Sequence, residues 1–305
     1  MEFFKQNTKI EFMRIRKWTA LVSLVLFTFS IIALVVNGLN FGLDFTGGLQ
    51  IEASYAKPAD TNLIRENLTK AGFTEAVVQS YGSSKDVLIT IRKNKQAKQD
   101  QIVQKVVQAI PNAKIERVDF VGSQVGRELA TKGALAMVIS LIGTLIYIAL
   151  RFEYRFAVSS TLALVHDPML ILGIFALFHI EFNLPALAAV LAVIGYSLND
   201  TIVVFDRVRE NFRKMRKSVP IDIMNISINQ TLSRTIMTSA LTLIAVLCLF
   251  FLGGDMIRSF SLAMIIGIVI GTYSSIYVAG ALALAMGLNR KDFLPPTPKE
   301  LDDRP

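Results

Sequence analysis

Residues 185–205 read PALAAVLAVIGYSLNDTIVVF, and the fold turns on a contradiction inside that stretch. It is apolar and long enough to cross a hydrocarbon core of about 30 Å, which takes roughly 20 residues of helix. Yet it carries Asn199 and Asp200. An ionisable group at that depth costs at least about 2.5–3.5 kcal/mol, so the carboxylate calls for a partner or a function.

Five more stretches pass the same test: Trp18 to Val36, Gly133 to Leu150, Phe156 to Phe178, Thr235 to Leu252 and Ser259 to Gly287. With 52% hydrophobic and 18% charged residues and a mean hydropathy of +0.49, the chain is too apolar for an ordinary soluble globule. The expected fold is therefore a polytopic α-helical membrane protein with six spans. The first apolar run is longer than a signal-peptide core and lacks a small-residue cleavage site, so it reads as a permanent anchor.

Lys and Arg set the expected orientation. They crowd the segment before the first span (Lys5, Lys9, Arg14, Arg16, Lys17), the link after the second (Arg151, Arg155) and the link after the fourth (Arg207, Arg209, Arg213, Lys214, Arg216, Lys217). The opposite links, His179 to Leu184 and Gly253 to Arg258, hold one basic residue, Arg258. By the positive-inside rule the basic segments and both termini face the cytoplasm. The net charge of +8 then reflects topology, and no nucleic-acid partner is implied. Cys248 is the only cysteine, which excludes a disulfide within the chain and a cysteine-based metal site; it reads as lipid-facing or packed.

The expected layout is a cytoplasmic amino terminus at 1–17, a first helix at 18–36, an external domain at 37–131, the other five helices within 132–290, and a cytoplasmic tail at 291–305. Inside the external domain, Leu49 to Tyr55 alternates as a strand and Thr61 to Ala71 has helical spacing. Ala76 to Tyr81 and Val87 to Ile91 read as strands about a turn at Gly82, Ser83 and Ser84. Asp100 to Ile110 is a helix and Ala113 to Val121 a closing strand. That β-α-β-β-α-β order is the ferredoxin-like pattern, an α+β fold between helices 1 and 2.

Three places in the spans hold ionisable groups. His166 and Asp167 lie mid-way along the third, where Pro168 is expected to weaken or kink the helix. Asn199 and Asp200 lie in the fourth, and Arg234 opens the fifth, so Asp200 and Arg234 can share a depth and form an ion pair. Burial and Arg234 act on the charge of Asp200 in opposite senses, so making or breaking the contact takes up or releases a proton. A static pair that sets helix register, and an Arg234 that merely snorkels to headgroups, are the structural alternatives. At His166 and Asp167 a local hydrogen bond stabilising the kink stands against a proton relay. Ala188, Ala192, Tyr196 and Asp200 recur every four residues, which predicts an inward face. Ala263, Gly267, Gly271, Ser275, Ala279 and Ala283 do so on the sixth span and ask for a closely packed neighbour.

Several segments together resemble the SecF type within the SecD/SecF family of bacterial protein-export membrane proteins. They are Gly42-Leu43-Asp44-Phe45-Thr46-Gly47-Gly48, Val125-Gly126-Arg127-Glu128-Leu129, Val165-His166-Asp167, the run Gly195 to Arg207, and Thr231-Leu232-Ser233-Arg234-Thr235. The resemblance implies half of a resistance-nodulation-division (RND) membrane domain, completed by SecD. It also implies use of the proton-motive force to promote late translocation and release of unfolded exported polypeptides. Expected partners are SecD, the SecYEG channel, YajC and YidC, and membrane lipids, in the bacterial inner membrane with the first loop periplasmic. Asp200 and Arg234 carry over as the proton-coupling pair, supported by His166, Asp167, Tyr196 and Asn199. Gly42, Asp44, Gly47 and Gly48 carry over as a hinge. No catalytic residue, metal or cofactor is expected, and the chain is not read as an enzyme. The rival readings are an RND-type small-molecule exporter, a non-coupling scaffold of the translocon, and an intramembrane hydrolase using His166 with Ser159 or Ser197.

Overall fold

The computed structural model describes residues 9–74, 76–81, 83–91, 99–215 and 218–289. The expectations for residues 1–8, Gly82, Arg216, Lys217 and the tail from 291 lie outside them. A 3₁₀ turn at Phe12–Ile15 leads into α1 (Arg16–Asn37), which stops where Gly38 turns to φ 67°. A two-residue strand β1 (Asn40–Phe41) and a single turn α2 (Leu43–Thr46) follow before the chain enters the external domain.

That domain runs β2 (Gly48–Tyr55), α3 (Thr61–Lys70), β3 (Val77–Tyr81), β4 (Ser83–Ile91), α4 (Gln99–Ala109), β5 (Ala113–Val121). The sheet order is β3-β4-β2-β5 and every pairing is antiparallel, the ferredoxin-like arrangement. Asp60 starts α3 by accepting the amides of Asn62 and Leu63. In register, Ile51 faces Ile89 and Ala53 faces Val87. These four are fully buried against Leu68 and Val106 of the two helices. Each fully buried aliphatic side chain contributes about 1.5–3 kcal/mol, enough to hold the register, since a one-residue slip would expose the whole set. The alternate residues, among them Gln50, Glu52, Arg117 and Asp119, form the other face of the sheet.

Among the described residues six helical stretches are long and apolar enough to span a membrane. After α1 come α5 (Ser123–Arg151), α6 (Tyr154–Leu177), α7 (Leu184–Lys214) and α8 (Pro220–Leu252). The last span is α9 (Arg258–Tyr273), a π turn (Ser274–Val278) and α10 (Ala279–Ala285). The spans of α6, α7 and the last stretch are 61, 50 and 50% buried, against 17, 11 and 17% for α1, α5 and α8. The first three are the core and the others wrap it. Cys248, on α8, is exposed.

The structure corrects several expectations. The fifth helix begins at Pro220, not Thr235, so Arg234 stands in mid-helix. The fourth runs on to Lys214, so Arg207, Arg209, Arg213 and Lys214 are helical rather than a link. Both helices continue because their extensions pack on each other, with Val208 and Phe212 of α7 buried in one cluster with Ile223, Met224 and Ile228 of α8, and Asn211 donating to Ser227. The second span begins at Ser123, which places Val125 to Leu129 inside it. Ser83 and Ser84 belong to β4 rather than to a turn. The link at His179 to Leu184 holds β6 (Glu181–Phe182), paired in parallel with β1. α6 stays helical through Pro168; the departure from regular helix is the π turn in the last span, where proline is absent.

Candidate functional site

α7 carries the central carboxylate. Asp200 is 3% exposed, and Ser239 Oγ of α8 donates to its Oδ2 at 3.5 Å. Ser239 shares a 2.8 Å hydrogen bond with Thr272 of α9, so Asp200 sits where three helices meet. Among the described residues no ion pair joins Asp200 to Arg234; the guanidinium is exposed and acts on the carboxylate only through space. The reason is helical geometry. Arg234 is five residues before Ser239, about 140° around α8 at 100° per residue, so it cannot face the same neighbour.

The predicted inward stripe on α7 holds only at its end: Asp200 is buried and Tyr196 half-buried, but Ala188 and Ala192 are exposed, as is Asn199 outside the stripe. A four-residue step overshoots one turn by about 40°, so three steps carry Ala188 about 120° away from Asp200. The Tyr196 hydroxyl oxygen is buried without a partner among the described residues. On the last span the same spacing is buried throughout, because the wider π turn takes back much of the drift. There a Cβ at Gly267 would strike Val193, and one at Gly271 would stand 3.0 Å from Ser197 Cβ.

A second polar cluster lies behind α7. Asp167 is completely buried; its Oδ1 meets His166 Nδ1 at 2.9 Å, and its Oδ2 accepts from Ser197 Oγ and, at 2.7 Å, from Ser274 Oγ of the π turn. Ser275 and Thr201 extend the cluster, with Thr201 Oγ1 donating to Ser275 Oγ at 3.0 Å. His166 stacks on Phe27 of α1. Neither serine of the hydrolase reading is held by His166: Ser197 donates to Asp167, and Ser159 to its own helix at Phe156 O. Ser239, Thr272 and Ser274 escaped the sequence reading, because a hydroxyl in a span is common and only the crossing of helices singles out these three.

The segment at 42–48 forms a docked joint. The Gly42 amide donates to Phe182 O at 2.9 Å, and Glu181 Oε1 occupies the space beside its Cα. Gly47 and Gly48 have φ of 68° and 144°, values that favour glycine. Gly126 of α5 lies against the backbone of Phe45 and Gly47. Asp44 Oδ2 accepts the amide of Leu184 at 2.8 Å, at the first turn of the helix that carries Asp200. Burial first, and then the negative charge of Asp44, push the Glu181 carboxyl above its usual range. Above this joint a cavity of about 710 Å³ separates the open sheet face (Gln50, Glu52, Arg117) from the rim of the helices (Glu181, Asn183, Arg258).

The family description for the SecD/SecF protein export membrane protein, C-terminal, matches residues 101–289, and the SecD/SecF GG motif matches residues 32–59. The chain belongs to the SecD/SecF family. It is 46% identical to the protein translocase subunit SecF of Vibrio alginolyticus, covering 97% of this chain and 95% of that one. It is 45% identical to that of Pseudomonas aeruginosa, covering 97 and 98%. The crystal structure of SecDF, a translocon-associated membrane protein from Thermus thermophilus, superposes with a TM-score of 0.85 at 35% identity. That match covers 93% of this chain but 39% of the SecDF chain, so the chain spans about two fifths of that solved relative. A SecDF in super-membrane-facing form matches the same share of this chain with a TM-score of 0.68. The family and the six spans together make the chain a multi-pass inner-membrane protein of the Sec export pathway.

Proposed function

We propose that this chain is the smaller half of a proton-driven SecD–SecF pair, in which a change of charge at Asp200 moves the external domain against the membrane helices. The observation that carries the reading is Asp200 itself, buried beside hydroxyls with no cation among the described residues in ion-pair contact, while Arg234 and Asn199 stay exposed nearby. A carboxylate so placed is costly unless its charge state is used or a second subunit completes its surroundings. SecD, supplying the missing half of the RND-type membrane domain, would cover that exposed face. Protonation would remove the charge that Arg234 acts on through space and repack α7. The Asp44 contact with the start of α7 would pass the change to the glycine joint and the external domain.

In this reading the basic segments and both termini are cytoplasmic and the external domain is periplasmic. It meets unfolded exported polypeptides there beside the SecYEG channel, with YajC and YidC as further neighbours. One charge crossing the full potential supplies about 2.3 kcal/mol per 100 mV, enough to bias a domain's orientation but far below the stability of a folded client. Asp200→Asn is expected to abolish proton-dependent stimulation of export in vesicles carrying the SecD partner, with complex formation unchanged. Full stimulation by this variant would refute the coupling role and leave the scaffold; efflux of a small molecule by the isolated chain would favour the exporter.

A further inference from the structure

Four hydroxyl side chains stand one turn apart along α8: Ser227, Thr231, Thr235 and Ser239, all buried. The column is anchored to α7 at both ends, by Asn211 Nδ2 donating to Ser227 Oγ at 2.8 Å and by Ser239 donating to Asp200. The two contacts keep one antiparallel register, which sets Thr231 and Thr235 at the level of the buried Val208 and Val204. The column thus runs beside these two valines between Asp200 and the end of α8 nearest the chain's basic residues.

Hydroxyls in apolar helices commonly back-bond to the carbonyl four residues earlier, and Ser227 and Thr231 do so, to Ile223 O at 2.7 Å and Ser227 O at 3.0 Å. Thr235 does not. It is 1% exposed and its Oγ1 has no hydrogen-bond partner among the described residues, an arrangement that costs about 1–3 kcal/mol unless something else meets it. The rise of four helical residues is about 6 Å, too long for a direct hydrogen bond and just past the roughly 5.6 Å that one water reaches at about 2.8 Å per bond, so each step takes a chain of one or two waters.

We infer that this column is the cytoplasmic limb of a proton path, in which bridging waters link Ser227, Thr231, Thr235 and Ser239 to Asp200. Each hydroxyl accepts a proton on a lone pair and releases its own to the next water, so the column ends unchanged and only Asp200 changes charge. Thr235 is the residue on which continuity depends. This rests on the proposed role of Asp200, and the experiment separates the two.

The full chain, purified with its larger partner and returned to lipid vesicles, is mixed into D2O, and the carboxyl C=O infrared band that Asp200→Asn removes is followed. Thr235→Val, which keeps the volume but lacks the hydroxyl, should slow the deuterium shift of that band by about one order of magnitude or more. Thr231→Val should do the same, and Thr235→Ser should restore the rate. Thr238→Val, off the column, should leave it unchanged. Wild-type exchange in both column variants, or equal slowing by Thr238→Val, overturns the proton path while leaving Asp200 in its role. If no exchanging band depends on Asp200, the role of Asp200 fails and the path with it.

Discussion

Gly126 and Gly42 lie at the same joint, and the atoms beside them predict opposite tolerance. A Cβ at Gly126 would stand 2.9 Å from Gly47 N and 3.0 Å from Phe45 O, backbone atoms that cannot rotate away. At Gly42 it would meet Glu181 Oε1 at 2.6 Å, the tip of a flexible side chain, and Asn183 Cβ at 3.0 Å, which asks for a shift of a few tenths of an ångström. Gly126→Ala should therefore lower stability by about 1–3 kcal/mol, a typical cost of overpacking. Gly42→Ala should cost clearly less. Thermal melting of the two variants in detergent decides it, and equal losses would show that α5 does not bear on the joint. At this scale Asp200 was legible from sequence as a costly charge in an apolar run, whereas Gly42, Gly47 and Gly48 stood out only through the family resemblance. Ser239 was not legible: one more hydroxyl in a span carries no mark until α8 is laid against α7.

Among the elements, the short β1–β6 pair ties the exit of α1 to the entry of α7, and Glu181 makes that tie pH-dependent. Its carboxyl is raised by burial and by Asp44, so the folded chain holds the proton to a higher pH than the unfolded chain does. The corresponding stability is complete below the ordinary value of 4.5 and is lost as the pH rises through the raised one. Melting temperatures of wild type should fall across that window more steeply than those of Glu181→Gln. Parallel curves would place Glu181 in open water. The pair was invisible in the sequence because two residues leave no period to read. The π turn was missed for a related reason: Pro168 advertised a break in α6 that its neighbours absorb, whereas Ser274 and Ser275 became irregular through bonds to Asp167 and Ser197 on other helices.

For the whole molecule, the distribution of basic residues predicts which side each part occupies. In a Cys248→Ser background, Lys57→Cys in the external domain should react with a membrane-impermeant thiol reagent in spheroplasts. Arg213→Cys at the end of α7 should react only after the membrane is opened. The reverse pattern would invert the orientation and detach the external domain from the exported client.

By itself the sequence determined the six spans and the ferredoxin-like insertion, since lipid demands long apolar helices and a half-buried sheet demands alternation, and both leave their period in the chain. It also marked Asp200 as a costly charge. Only the tertiary structure decided what Asp200 touches, because facing directions depend on the drift of each helix, about 100° per residue, and on crossings between residues far apart in sequence. Arg234 was set outward, Ser239 inward, and Asp44 beneath the start of α7 by that packing.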